Sequence, residues 1–368
     1  MTYQVVLVES QKDLLDAISN NLKQSADFEI MSTYRNVNDA LGQSGVYHPN
    51  LFLIDVDDEA TLKMLPVFKD IFPNATLIGT MLMWNHDIAQ ETLKGGANGC
   101  ILKSFKTTEL IEAIKLYSFR GKAEPPHIVS FFSPKGRSGR TTLAALLALS
   151  VAKKTDEAVA LIDADLQFGD LPIFFDVEPK HTVVDAVHDV RMLTPISFAP
   201  YFHKLTRNVY LLSSPDRPEY AELVDAESLI DVVRLSGNLY KYVFIDLPAG
   251  FNPLSIAVSN FAGTNFVVAM INTGLEIEHV KRSMRLFDTH KTQHAKSFPI
   301  FTRVNPCNDE QKLKLEMQIG YNIAAIFPNE YNLVSIANSG QILRGIPEGT
   351  LMSNTVDGLA DKIIGGEL

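Results

Sequence analysis

Along the first third of the chain, short apolar runs alternate with stretches in which apolar residues return every three or four positions. The runs at 4–8, 28–33, 51–55, 76–80 and 99–102 predict five β-strands. Between them, residues 11–23 place Leu14, Leu15, Ile18 and Leu22 on one helical face, and residues 107–120 do the same with Leu110, Ile111, Ile114 and Leu116. Strict strand–helix alternation predicts a parallel sheet covered on both faces. The segment Gly121-Lys122-Ala123-Glu124-Pro125-Pro126 breaks the pattern, and paired prolines after a glycine predict a short, stiffened linker over 121–126. From His127 the alternation restarts, with strands expected at 128–133, 159–162, 209–212, 242–246, 266–271, 300–303 and 323–327. Helices are expected at 141–153, 227–239 and 276–291. The prediction is an α/β chain of two doubly wound domains, a smaller one over 1–120 and a larger one over 127–368.

Composition narrows this only slightly. At 368 residues the chain is long enough for two cores, and 46% apolar with 21% charged residues is an ordinary globular balance. No apolar run reaches the ~18 residues of a spanning helix. The opening Met1-Thr2-Tyr3-Gln4 lacks the basic flank of a secretion signal and reads as the start of a strand, so a cytoplasmic protein is expected. Cys100 and Cys307 stand far apart with no metal-ligand spacing. A net charge of −10 opposes non-specific DNA binding, which depends on neutralising phosphates.

Chemistry concentrates in Ser133-Pro134-Lys135-Gly136-Arg137-Ser138-Gly139-Arg140-Thr141-Thr142, between an expected strand and an expected helix. That is the context of a phosphate loop, whose backbone N–H groups and helix N-terminus form a nest for anionic oxygens. Gly136 and Gly139 allow unusual backbone angles, and Thr141 offers a hydroxyl to Mg2+. A glycine-containing turn with incidental basic residues is the plain alternative. Two strand-end carboxylate motifs follow in order: Val159-Ala160-Leu161-Ile162-Asp163-Ala164-Asp165 and Tyr242-Val243-Phe244-Ile245-Asp246-Leu247-Pro248-Ala249-Gly250. Each aspartate alone could be a helix cap; three motifs in sequence favour a nucleotide site.

These segments resemble the deviant Walker A, Walker A′ and Walker B motifs of the MinD/ParA ATPases. The resemblance implies that ATP is held by Lys135, Gly136, Arg137, Ser138, Gly139, Arg140, Thr141 and Thr142. It places Mg2+ near Thr141, Asp163 and Asp246, and assigns the positioning of the attacking water to Asp165. Lys135 matches the signature lysine that reaches across a homodimer to the partner's phosphates. Arg137 stands in place of the motif's second glycine and Arg140 in place of its phosphate-contacting lysine, so slow hydrolysis at best is expected. An arginine keeps the charge but carries a bulkier, planar fork. Thr302, in Phe301-Thr302-Arg303, stands where relatives carry an adenine-recognising asparagine, and Ile326-Phe327-Pro328-Asn329-Glu330 is similar to a nucleotide-flanking turn.

The first domain resembles a response-regulator receiver of flavodoxin-like fold. Asp55 ends the third strand, where the phosphoryl acceptor belongs, with Lys103 after the fifth strand, Thr80 at the end of the fourth and Glu9 after the first. Ser10 replaces the second acid and Ser104 the usual proline. Mg2+ needs hard oxygens in near-octahedral array, so one missing acid weakens such a site. A fold retained only as a docking surface is the expectation, with phosphorylation of Asp55 as the alternative.

Receiver-like and MinD/ParA-type modules in one chain, with the phrase Asp163-Ala164-Asp165-Leu166-Gln167-Phe168-Gly169-Asp170, are similar to the CpaE/TadZ family of tad pilus assembly. That resemblance implies a dimeric, ATP-dependent factor that localises a pilus secretion machine, often at a pole. Its partners would be the secretion ATPase and other assembly proteins, with inner-membrane association only through them. A ParA-like partitioning ATPase, using Lys281, Arg282 and Arg285, and a response regulator with an ATPase-like output remain as alternatives. The segment 355–368 carries Asp357, Asp361 and Glu367 against one lysine, unlike a basic amphipathic anchor, so no direct membrane anchor and no nucleic acid are expected.

Overall fold

The computed structural model describes residues 2–47, 49–118, 125–190, 193, 195–271, 274–290, 295–304 and 308–368. Its contacts divide the chain into two units, 1–124 with 191–197, and 125–190 with 198–368. Residues 121–124 of the expected linker lie outside the described residues.

The smaller unit is a five-stranded parallel sheet of β1 (Tyr3–Val8), β2 (Phe28–Tyr34), β3 (Leu51–Asp55), β4 (Thr76–Met81) and β5 (Gly99–Leu102). The strands lie in the order β2-β1-β3-β4-β5, one of the two common doubly wound orders. Helices α1 (Lys12–Lys23), α2 (Val37–Gln43), α3 (Glu59–Ile71), α4 (His86–Lys94) and α5 (Thr107–Ser118) connect them. Successive strand side chains point to opposite faces, and the core divides accordingly. Val6, Val8, Phe52 and Ile54 pack with Phe68 of α3. Val5, Leu7, Leu51 and Leu53 pack with Leu110 and Ile114 of α5. Gly99 is obligatory, because a Cβ there would lie 2.2 Å from the Tyr117 ring.

The larger unit holds β6 (His127–Ser133), β7 (Val159–Asp163), β8 (His203–Lys204), β9 (Val209–Leu212), β10 (Tyr242–Ala249), β11 (Thr264–Met270), β12 (Lys296–Val304) and β13 (Ala325–Pro328). Their order is β13-β12-β11-β6-β10-β7-β9-β8. All neighbours run parallel except β8, which turns back antiparallel on β9. Several edges differ from the sequence pattern. β12 begins at Lys296, because Lys296–Thr302 pairs along the whole of β11 despite Pro299. β10 continues past Asp246 to Ala249 through an irregularity in its pairing with β6, and the last strand starts at Ala325, two residues later than expected.

Helix α6 (Arg140–Thr155) follows β6 and buries ten of its residues, including Leu143, Leu147 and Val151. It can be apolar nearly all round because the C-terminal helix Leu351–Ile364 covers it, sinking Met352, Val356, Leu359 and Ile363 into the same core. Ser150 Oγ donates to Asp357 at 2.6 Å and Lys154 pairs with Asp361 at 2.7 Å along this seam. Among the described residues, no helix is long and apolar enough to cross a membrane.

Candidate functional site

The ends of β6, β7 and β10 bring the sequence motifs of the larger unit together. Between β6 and α6 the chain turns through Arg137 at φ +63° and Gly139 at φ +82°. The left-handed region costs a side-chain-bearing residue roughly 1–2 kcal/mol, so Arg137 retains the turn that the motif's glycine would take without strain. Gly139 caps α6 without any side-chain hydrogen bond. Among the described residues, the backbone N–H groups of Gly136, Arg137, Gly139, Arg140 and Thr141 make no hydrogen bond. Five free donors at a helix N-terminus form a nest for an anion.

The rest of the turn is braced. Ser133 Oγ donates to Lys135 O at 2.5 Å, and Gly250 N–H donates to Ser133 O at 2.8 Å. Thr302 Oγ1 donates to Ser138 O at 2.6 Å, so Thr302 buttresses the loop and its hydroxyl is already spent there. Glu330, after β13, caps the helix Tyr331–Asn338 through Asn332 N–H at 3.3 Å.

Asp163 and Asp246 face each other in register on β7 and β10, and both are fully buried. Arg140 bridges Asp246 and Asp165. Its Nε donates to Asp246 Oδ1, its Nη2 to Asp246 Oδ2 at 3.4 Å and to Asp165 Oδ2 at 3.1 Å. Thr141 Oγ1 also donates to Asp246 Oδ2, at 2.6 Å. Burial holds the Asp246 carboxyl above its ordinary value, although Arg140 and Thr141 pull against it. Burial works against the Arg140 charge as well, but Asp246 and Asp165 raise it above the ordinary arginine value. Burial and then Asp246 hold Asp163 well above the usual carboxylate range.

Asp163 is a clamp within its own loop. Its Oδ1 accepts Asp165 N–H at 3.3 Å, and its Oδ2 accepts Leu171 N–H and Ser214 Oγ, each at 3.2 Å. Gly169 fits against it only without a side chain, since a Cβ would lie 2.4 Å from Asp163 Oδ2 and 2.2 Å from Ser214 Oγ. The nest therefore fits a phosphate. The oxygens expected to surround Mg2+ are already engaged: both of Asp246 by Arg140, and those of Asp163 by Asp165 N–H, Leu171 N–H and Ser214 Oγ. Among the described residues, no group of three His, Cys, Asp or Glu is arranged to hold a metal ion.

In the smaller unit, Lys103 gathers three carboxylates. Its Nζ lies 2.7 Å from Asp55 Oδ1, 2.9 Å from Glu9 Oε2 and 3.0 Å from Asp57 Oδ2. Ser10 Oγ donates to Asp55 Oδ2 at 2.9 Å, and Leu82 N–H to Asp57 Oδ2 at 2.9 Å. Asp57 supplies an acid that the sequence reading did not assign; its spacing, two residues beyond the strand-end Asp55, was the available signal. Burial alone would raise Asp55, but Lys103, Ser10 and the Asp57 N–H outweigh it and hold its carboxyl below the ordinary value. For Glu9 burial prevails over Lys103, and its carboxyl is raised. Thr80 Oγ1 is buried beside β3 with no hydrogen-bond partner among the described residues.

No protein-family profile matches the chain. It is 36% identical over 129 residues to an uncharacterised ATP-binding protein of Methanocaldococcus jannaschii, covering 34% of this chain and 46% of that protein, less than half its length. It is 24% identical over 229 residues to the septum site-determining protein MinD of Escherichia coli, covering 58% of this chain and 82% of that one. Among solved structures, a ParA family ATPase from Chlorobium tepidum superposes with a TM-score of 0.59 at 18% identity, over 66% of this chain and 99% of the other. MinD from Pyrococcus horikoshii, solved with Mg-ADP, gives 0.55 at 17% identity over 66% and 98%. The parallel α/β fold of the larger unit is thus that of the MinD/ParA-type ATPases.

Proposed function

We propose that this chain is an ATP-binding, nucleotide-dependent dimeric switch that localises a tad-type pilus secretion machine and hydrolyses ATP slowly or not at all. The observation that carries the reading is the nest of free N–H groups from Gly136 to Thr141 at the head of α6. There Gly136, Arg137, Ser138, Gly139, Arg140, Thr141 and Thr142 would surround the phosphates. Arg140 supports the slow turnover: it holds Asp165 and Asp246, the groups on which water positioning depends, in an ion-pair cluster.

A second copy of the chain is the partner this face favours. Lys135 is exposed at the mouth of the loop, in the position from which it would reach the opposite subunit's nucleotide. Phe168 and Leu223, on the segments after β7 and β9, are 75% and 63% exposed, apolar area suited to burial between copies. Sedimentation velocity with and without ATP, on wild type and Lys135→Ala, tests this. The expected result is an ATP-dependent dimer in wild type that Lys135→Ala weakens; an unchanged monomer in every condition removes the switch.

The smaller unit is read as a receiver-like docking module for the secretion ATPase and other assembly proteins, placing the protein at a pole or the inner membrane through those partners. A Lys103 already surrounded by Glu9, Asp55 and Asp57 supports a structural use of the old acidic pocket. Acetyl phosphate labelling followed by intact mass should give no adduct; a phosphoryl group lost in Asp55→Asn would restore the response-regulator alternative. The partitioning alternative rests on exposed Arg282 and Arg285 on the helix Leu275–His290, where Lys281 already lies 3.7 Å from Glu278. A fluorescent fusion that coats the nucleoid instead of forming a focus at the pilus motor would favour it.

A further inference from the structure

We infer that Arg140 takes the place of the divalent cation, so that the chain binds nucleotide without Mg2+. This rests on the nucleotide reading above and concerns the same loop. An ion beside a phosphate loop is normally recruited by the loop hydroxyl and a strand-end aspartate, and it demands near-octahedral oxygen ligands. Here the strand-end Asp246 gives Oδ1 to Arg140 Nε and Oδ2 to both Arg140 Nη2 and Thr141 Oγ1. Asp165 is tied to the same guanidinium at 3.1 Å. An incoming ion would have to break a bidentate pair whose partners are 8% and 0% exposed, and removing one partner of a buried pair is strongly unfavourable.

The guanidinium is also a permanent cation, since arginine is not deprotonated in proteins. Its own bonds run to the carboxylates of Asp246 and Asp165, and the five N–H groups of the nest stay free to donate to an anion. Lys135 and Arg137, both exposed on the loop, add two more positive charges to it. Arg140, seated among the metal's expected ligands, is itself neutralised by Asp246 and Asp165, so the charge left to meet the phosphates without an ion is that of Lys135 and Arg137.

Isothermal titration of ATP into the full chain, once with excess Mg2+ and once with excess EDTA, tests the inference. The expected affinities agree within about threefold. Binding that appears only with Mg2+ overturns the inference while leaving the nucleotide reading intact. Binding in neither condition overturns the nucleotide reading, and this inference with it. Arg140→Lys should gain metal dependence, with EDTA weakening ATP binding about tenfold or more. A folded Arg140→Lys protein that stays indifferent to EDTA shows that another group replaces the ion. The wild-type comparison decides metal independence whatever the variant's stability.

Discussion

Arg140 and Asp246, 106 positions apart, meet through two hydrogen bonds, one to each carboxylate oxygen. The pair joins the first residue of α6 to the centre of the sheet and closes the polar heart of the larger unit. Arg140→Met should leave Asp246, Asp165 and Asp163 facing one another without a cation, costing about 3–5 kcal/mol. Urea denaturation followed by circular dichroism reads this directly. A loss below about 1 kcal/mol would place the pair among the weakly contributing ones.

Hydrolysis by wild type should be near background, because a guanidinium fixed to Asp165 and Asp246 is not free to follow charge developing on a transferring phosphoryl group. Arg140→Lys should raise turnover if it frees both carboxylates. Phosphate release at saturating ATP is the assay, and brisk wild-type turnover would show that the cluster opens during the cycle.

Gly169→Ala should destabilise the larger unit by about 1–3 kcal/mol, the usual range for overpacking. Its new methyl would lie 2.2 Å from Ser214 Oγ and displace the Asp163 clamp. Thermal unfolding of the variant checks this, and an unchanged midpoint would mean that the loop after Asp165 yields without resistance.

Lys103→Met should be more damaging at about pH 8 than at about pH 5. In wild type Asp55 is held low, so its stabilisation is present above the ordinary aspartate value and lost as pH falls through the lowered one. Without Lys103, burial prevails at Glu9 and Asp55, and their folded values rise. Raised carboxyls favour the fold at low pH, and that contribution disappears as pH rises through them. Denaturation midpoints at the two pH values test the sign; a penalty that grows on acidification would contradict the lysine's role.

Much of the fold was legible because strand-end chemistry and apolar runs coincide. Asp163 and Asp246 stand out as charges closing runs such as Val159-Ala160-Leu161-Ile162, which only a buried parallel strand accommodates. The phosphate loop was legible from Gly136 and Gly139 ahead of an apolar helix. The destination of Arg140 was not, since a 106-residue separation leaves no local trace. Asp57 is set apart from other loop acids only by the fold, where Lys103 and Leu82 N–H converge on it. The final helix was hidden for another reason: Asp357 and Asp361 gave 355–368 a polar look, yet both face the α6 seam, where Ser150 and Lys154 receive them. Gly169 and Thr302 drew attention only through the resemblance, and their steric and bracing roles depend on chain segments that arrive from elsewhere.

Gly136 allows the most direct test of the central claim that the nest holds the phosphates of ATP. It is exposed, and a Cβ there would meet nothing within 4 Å, so Gly136→Glu should fold with an unchanged melting midpoint while placing a carboxylate at the mouth of the loop. Equilibrium titration of ATP into wild type and Gly136→Glu is the measurement. The account predicts saturable binding to wild type and a loss of about tenfold or more in the variant. Equal affinity in the two proteins, or no binding to wild type, would contradict it.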